Sequence, residues 1–293
     1  TMAFTDVPNP KKIKLVNEFC PDVDFICHNT YYSVLERHKA NDRVPYTDLL
    51  AEYGWTKPYM ITEYGPTGTW RRSELLEEDR INNWGALIQL SAEEAALKYA
   101  ECYHIIKGYE NCLGSVAFWW GYQTHGQVLG WYPFFTKDGY ALTNVEVMSN
   151  CWKGIDAPLT GPKIESWKTS MTLNGKNLSQ ERDPVLTPGQ ACTASVTAES
   201  RNGNPLKYKW FIYKDNTYKI GSSVTDATVD VAHDNLSDGS MNEDAGAELF
   251  TDRTLASVSF KAPAQKANSR LDVIAYDEKT QQAATACINF QVK

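Results

Sequence analysis

No two cysteines of this 293-residue chain stand at metal-binding or redox spacing. The seven, at positions 20, 27, 102, 112, 151, 192 and 287, include no CxxC pair. That excludes a zinc ribbon and a thioredoxin-like centre. An odd number scattered through apolar segments suits buried thiols, with a single bridge, Cys192 to Cys287, left open. A basic balance is also missing: 29 Lys+Arg against 36 Asp+Glu gives a formal net charge of −7. Phosphate backbones are held by basic faces, so no nucleic-acid partner is expected. No run of about 18 apolar residues occurs, so no membrane-spanning helix is expected. The opening TMAFTDVPNP has neither the basic nor the apolar region of a signal peptide. The acidic stretch DNLSDGSMNED, Asp234 to Asp244, lacks the alternating D-x-D-x-D-G spacing of a calcium loop and reads as a solvated turn. No cofactor or metal is implied.

What is present is ordinary globular material, 42% hydrophobic and 22% charged, at a length that fits about two domains. Aromatic residues make up 12%, with nine Trp and sixteen Tyr. A large core and a sugar-stacking surface both account for them, and composition alone favours the core.

The chain has two grammars. Up to about residue 155, strand-like runs alternate with helical ones. Asn9 to Cys20 has helical spacing; the buried run Val23 to Asn29 follows, then a short helix from Tyr46 to Tyr53 and a strand around Ile61. Ser91-Ala-Glu-Glu94 is a capping box that opens a helix with Ala96, Ala100, Tyr103 and Ile106 on one face. Leu113 to Trp120 reads as another buried run and Leu142 to Trp152 as a helix. Such alternation predicts βαβ units and a parallel sheet. After the breaker-rich linker Asp156 to Pro162, short runs with alternating polarity are separated by Asn174-Gly175, Thr187-Pro188-Gly189 and Asn202-Gly203. Those runs predict a β-sandwich over 163–293.

Three strands of the first part end in chemistry. Strand side chains alternate, so Tyr59, Ile61 and Glu63 are expected on one face, with Glu63 last. Phe25, Cys27, Asn29 and Tyr31 are expected to share a face, and so are Phe118 and Trp120. In a parallel α/β barrel the groups at the C-terminal strand ends meet the substrate. A carboxylate flanked by a tyrosine and a tryptophan makes a coherent sugar site: an anion for an oxocarbenium-like centre, a hydrogen bond to hold it ionised, and an aromatic face for the sugar's C–H side. The bland reading is that Glu63 is a solvated loop residue. His28 is expected to point away from the site as a core histidine, and Trp70, Arg71 and Arg72 are either a cleft rim or a solvated loop.

The motifs Asn29-Thr-Tyr31-Tyr32, Pro58-Tyr-Met-Ile-Thr62-Glu63-Tyr64-Gly65 and Gly114-Ser-Val-Ala-Phe-Trp119-Trp120-Gly121 resemble, in order and spacing, strands six, seven and eight of the large clan of retaining glycoside hydrolases that includes family 2 β-galactosidases and family 5 cellulases. The resemblance implies that Glu63 is the nucleophile, that Tyr31 (or Tyr32, one residue on) is its hydrogen-bonding neighbour, and that Asn29 and Trp120 bind substrate. It also implies a polysaccharide or oligosaccharide substrate and, by analogy, a secreted or periplasmic protein. Asn202 to Trp210 resembles the third-strand segment of PKD-like and cadherin-like sandwiches, with Trp210 as the core tryptophan.

A retaining glycosidase also needs an acid/base carboxylate about 5 Å from the nucleophile. In the clan it follows Asn at the end of strand four. Asn17-Glu18 has the right letters in the wrong place, inside a helical run. A barrel takes about 250 residues, whereas residues 1–155 supply only about strands five to eight, with Met2-Ala3-Phe4 ending the fifth. The expectation is therefore a partial (β/α)8 barrel over 1–155 joined to an Ig-like sandwich over 163–293. Such a chain carries the nucleophile half of a site, is inactive alone, and self-associates or takes a missing N-terminal barrel half as its partner. The alternative is a carbohydrate-binding or scaffolding protein that is not an enzyme.

Overall fold

The computed structural model describes residues 1–4, 9–31, 46–67, 79–121, 132–214 and 246–293. They form a mixed α/β fold of several sheets and few helices, and the parallel strands do not close into a barrel. By compactness the chain forms two units. One comprises Thr1–Gly68, Leu97–Phe118 and Cys151–Ile155; the other comprises Thr69–Ala96, Trp119–Asn150 and Asp156–Lys293.

In the first unit, β1 (Met2–Phe4), β2 (Ile26–Asn29), β3 (Tyr59–Tyr64) and β4 (Cys112–Ala117) lie side by side in chain order, all parallel. Helix α1 (Pro10–Phe19) starts where Asn9 caps it, its side chain accepting from Lys12 N at 3.0 Å, with Pro10 in the first turn. It buries Ile13 and Val16 and stops at Cys20, ahead of Pro21. Helix α2 (Tyr46–Glu52) precedes β3, and α3 (Ala92–Lys107) precedes β4. Tyr99 and Cys102 of α3 lie against the chain just after β3: the Tyr99 ring meets Tyr64 edge-on, and the Cys102 thiol is 3.5 Å from the Gly65 carbonyl. A Cβ on Gly65 would stand 2.9 Å from the Tyr99 ring, so this close approach requires glycine.

The run from Leu113 onward departs from its expected burial. Leu113 and Val116 are 59% and 49% exposed, and Trp119 and Trp120 are 40% and 63% exposed. Apolar content alone does not reveal which face of an edge strand is left partly exposed. Among the described residues, β1 and β4 each pair on one side only.

In the second unit, β7 (Met171–Leu173), β9 (Ala191–Val196) and β12 (Ser257–Lys261) form an antiparallel sheet with β9 in the middle. A second sheet runs β11 (Lys207–Lys214), β13 (Ala267–Asp277), β14 (Gln282–Val292) and β5 (Ala141–Leu142), with β8 (Val185–Leu186) also on β14. The short pair β6 (Pro162–Lys163) and β10 (Glu199–Ser200) is separate, and α4 (Thr143–Lys153) follows β5. Val196, Cys192 and Phe260 from the first sheet and Trp210, Val273, Ile288 and others from the second share one apolar cluster. Trp210 is fully buried, its indole N–H donating to Leu255 O at 2.8 Å.

The hairpin of β13 and β14 is buried on both faces rather than one. Its second face carries Phe211, Tyr213, Ile274, Tyr276 and Ala283, packed with Ala92 and Leu142, and Asn289 donates to Leu87 O. The same face holds a buried ion pair, in which Arg270 Nε lies 3.0 and 2.9 Å from the two carboxylate oxygens of Asp272. The expected capping box is present: Ser91 N donates to Glu94 Oε2 at 2.9 Å, and Glu94 N to Ser91 Oγ at 3.3 Å. All seven cysteines remain thiols, so the bridge left open between Cys192 and Cys287 does not form. Cys192 lies in the cluster between the sheets, while Cys287 of β14 pairs with Asp272 of β13.

Candidate functional site

Parallel strands in register turn paired side chains to the same face. Ile26 pairs with Tyr59 and His28 with Ile61, so these four share one face, and Cys27 pairs with Met60 on the other. Strict alternation would then set Glu63 with Ile61, on the face opposite Asn29 and Tyr31. It does not. The register shifts after His28, and Asn29 pairs with Glu63 rather than with Thr62. The extra residue is a β-bulge, which re-aims the side chains beyond it. The expectation that Tyr59, Ile61 and Glu63 share a face is therefore corrected: Glu63 joins Cys27 and Asn29, while Tyr64 returns to the buried face of Tyr59 and Ile61.

On that face, at the C-terminal ends of the strands, the Tyr31 hydroxyl donates to Glu63 Oε2. The Tyr31 ring meets the Phe118 ring edge-on with centroids 5.4 Å apart, which fixes the phenol's direction. Thr62, the bulge residue, places its hydroxyl 3.0 Å from Asn29 Oδ1 and 3.2 Å from His28 O. The main chain closes the constellation, with Thr30 N donating to Glu63 O at 2.8 Å. Glu63 and Asn29 are half-buried and Tyr31 is buried. A phenol donating to a carboxylate fixes the direction of one of its oxygens. The arrangement presents an oriented carboxylate with one oxygen held by a phenol.

The groups around it are inert. Burial pushes the Cys27 thiol up, so it is not a thiolate competitor. His28 lies on the other face, fully buried, its ring stacked on Phe4 at 5.7 Å and tilted to Tyr59 at 6.1 Å. Burial depresses its pKa to about 4, so the ring is neutral at pH 7.

Glu63, Tyr31 and Asn29 are thus brought together. Trp120 belongs to the other unit, where its ring lies 5.6 Å from Phe134 and 5.2 Å from Phe135 in an aromatic cluster. Glu18 sits exposed on α1, and the neighbouring Asn17 amide donates to Gly54 O at 2.9 Å, so neither residue is at a strand end. Tyr32, Trp70, Arg71, Arg72 and the acidic stretch 234–244 lie outside the described residues. The sequence reading gave no role at the site to Thr62 or to the Phe118 edge. A polar β-branched residue just before Glu63 was the only signal for the first, and its importance depends on a register that no single strand encodes. Among the described residues no group of three or more His, Cys, Asp or Glu side chains is arranged to hold a metal, and no helix is long and apolar enough to cross a membrane.

No family model matches the chain, and no curated protein matches it. Among solved structures, a calcium-binding mutant of Bacteroides uniformis β-glucuronidase 2 aligns with all of this chain at 11% identity and a TM-score of 0.34. The chain spans 28% of that β-glucuronidase.

Proposed function

We propose that Glu63 is the nucleophile of a retaining β-glycosidase site and that this chain carries the nucleophile side of it, with the acid/base supplied by residues outside the sequence. The observation that carries this reading is the Tyr31–Glu63 hydrogen bond beside Asn29 at the C-terminal ends of parallel strands. In such a site a Glu63 oxygen attacks the anomeric carbon as the bond to the leaving oxygen breaks. The leaving group takes its proton from the second carboxylate, and water later cleaves the glycosyl ester. Tyr31 holds the carboxylate aimed, and Asn29 offers a polar group to the sugar. The four parallel strands belong to a partial barrel and the antiparallel sheets to an Ig-like sandwich. The missing barrel half is the partner, an oligosaccharide or polysaccharide the substrate, and the periplasm or the outside of the cell the place of action.

The test uses the protein with and without any upstream part encoded by its gene. A dinitrophenyl 2-deoxy-2-fluoroglycoside should leave a glycosyl adduct on Glu63 in the complete protein, lost in Glu63→Gln. A complete, active enzyme labelled at another carboxylate would refute the assignment. The 293-residue chain alone should hydrolyse nitrophenyl β-glycosides no faster than its Glu63→Gln variant, and Glu63-dependent turnover by it would show that no residue is missing. A second reading is favoured by Trp120, which is 63% exposed on an aromatic cluster: a carbohydrate-binding protein without catalysis. It predicts sugar binding that Trp120→Ala weakens, and no adduct in any form of the protein.

A further inference from the structure

We propose that Thr62, the bulge residue of β3, is a positioning residue. Its hydroxyl turns the Asn29 side chain so that the NH2 end of the amide, and not its carbonyl, faces the sugar bound at Glu63. The site then selects a saccharide with a free hydroxyl, the acceptor, beside the reacting carbon. The sugar in this proposal rests on the reading of Glu63 as a glycosidase nucleophile; the amide's orientation rests on geometry alone. The Thr62 hydroxyl lies 3.0 Å from Asn29 Oδ1 and 3.2 Å from His28 O. It has one proton to give, and its shorter contact is to the amide oxygen. An amide whose oxygen accepts on one side presents its two N–H donors to the other.

Three features of the strands point the same way. The bulge supplies the reach: Ile61 pairs with His28 and Glu63 with Asn29, so Thr62 stands between the two pairs and its hydroxyl addresses both His28 O and Asn29 Oδ1. The neighbouring carboxylate supplies the sign. Asn29 and Glu63 are paired on one face, on strands about 4.8 Å apart. An anion there favours the donor end of the amide, whereas a reversed amide would turn its carbonyl oxygen toward the carboxylate. Finally, the strand itself does not need a hydroxyl at position 62. Valine is as β-branched as threonine and suits a strand equally well, so what the hydroxyl adds is the bond to Asn29. The Tyr31 hydroxyl holds Glu63 separately, through Oε2, so a loss at Thr62 leaves the carboxylate aimed.

The test begins on the 293-residue chain, with 15N relaxation and NOE measurements on the Asn29 side-chain amide, assigned by its loss in Asn29→Ser. In wild type and in Thr62→Ser the amide should be rigid, with an order parameter near the roughly 0.85 of ordered backbone, and should show no strong NOE to the β-proton of residue 62. In Thr62→Val, which keeps the shape and loses the hydroxyl, it should become mobile. A rigid amide in Thr62→Val overturns the proposal, and so does a strong NOE to the Thr62 β-proton, which would mean a reversed amide. The kinetic arm uses the complete, active protein on nitrophenyl β-glycosides. Thr62→Val should raise KM about three- to tenfold, the worth of one hydrogen bond, and leave kcat within about twofold, with Thr62→Ser restoring KM. A fall in kcat at unchanged KM would show that Thr62 holds the Glu63 backbone instead, and would overturn the proposal. A missing fluoro-sugar adduct on Glu63 would refute the glycosidase reading, and with it the sugar, but not the amide orientation read on the chain.

Discussion

In β13 and β14 nearly every side chain is buried, whereas in β4 Leu113 and Val116 are 59% and 49% exposed. The two strand sets draw on similar residues, and what differs is the layer over each face. The β13–β14 hairpin has the sheet β7–β9–β12 across the cluster on one side and Phe211, Tyr213, Ala92 and Leu142 on the other. The parallel sheet has one face closed by buried side chains such as Ile61 and Tyr64. Its other face carries Glu63, Asn29 and Tyr31 together with exposed Val116. Parallel sheets normally have both faces covered. The antiparallel unit thus puts its residues into a closed core, while among the described residues the parallel unit has one face with half-buried polar groups, and the candidate chemistry is there.

If that contrast is right, the two units respond differently to damage. The largest effect belongs to the closed core. Trp210→Ala removes the largest fully buried side chain and the partner of Leu255 O, and should cost about 3–5 kcal/mol. Urea unfolding should show the loss, and a cost under about 1 kcal/mol would mean the core is not closed as described.

Next comes acid, which should act on the parallel unit. His28 titrates at about 4 when folded against 6.5 when unfolded, so the folded state binds fewer protons between those values. The stability this contributes is fully present above pH 6.5 and is lost as pH falls toward 4. It amounts to at most about 3 kcal/mol, at 1.36 kcal/mol per pH unit. Urea midpoints at pH 7 and pH 4.5 should differ less in His28→Phe than in wild type, and equal pH dependence in the two proteins would contradict a buried neutral imidazole.

The smallest effect concerns the join between β3 and its helix. Gly65→Ala forces a Cβ to within 2.9 Å of the Tyr99 ring and should cost about 1–3 kcal/mol by overpacking. Tyr99→Leu in the same chain should recover part of it, and a neutral Gly65→Ala would mean the ring is free to give way.

Much of the fold was legible because its signals are local. The capping box at Ser91 and Glu94 needs only four residues, and Trp210 stands in a run whose alternation marks its inward face. Asn9 and Pro10 announce α1 by capping chemistry alone. The hidden parts depend on partners. Whether Leu113 is buried rests on what lies across from β4, and the double-sided burial of β13 rests on Leu142 and Ala92, more than a hundred residues earlier. For the site, the sequence named Glu63, Tyr31 and Asn29 but set Glu63 in phase with Ile61.

The sequence by itself determined that a carboxylate ends an apolar strand, with Gly65 just beyond it and a tyrosine at the end of the strand before. Tertiary structure decided which way that carboxylate points. Alternation has a period of two, and one extra residue in β3 reverses every side chain after it. That residue, Thr62, becomes a bulge only because β2 and β4 impose their register on both sides of β3, and a register is a relation between strands that no single strand carries.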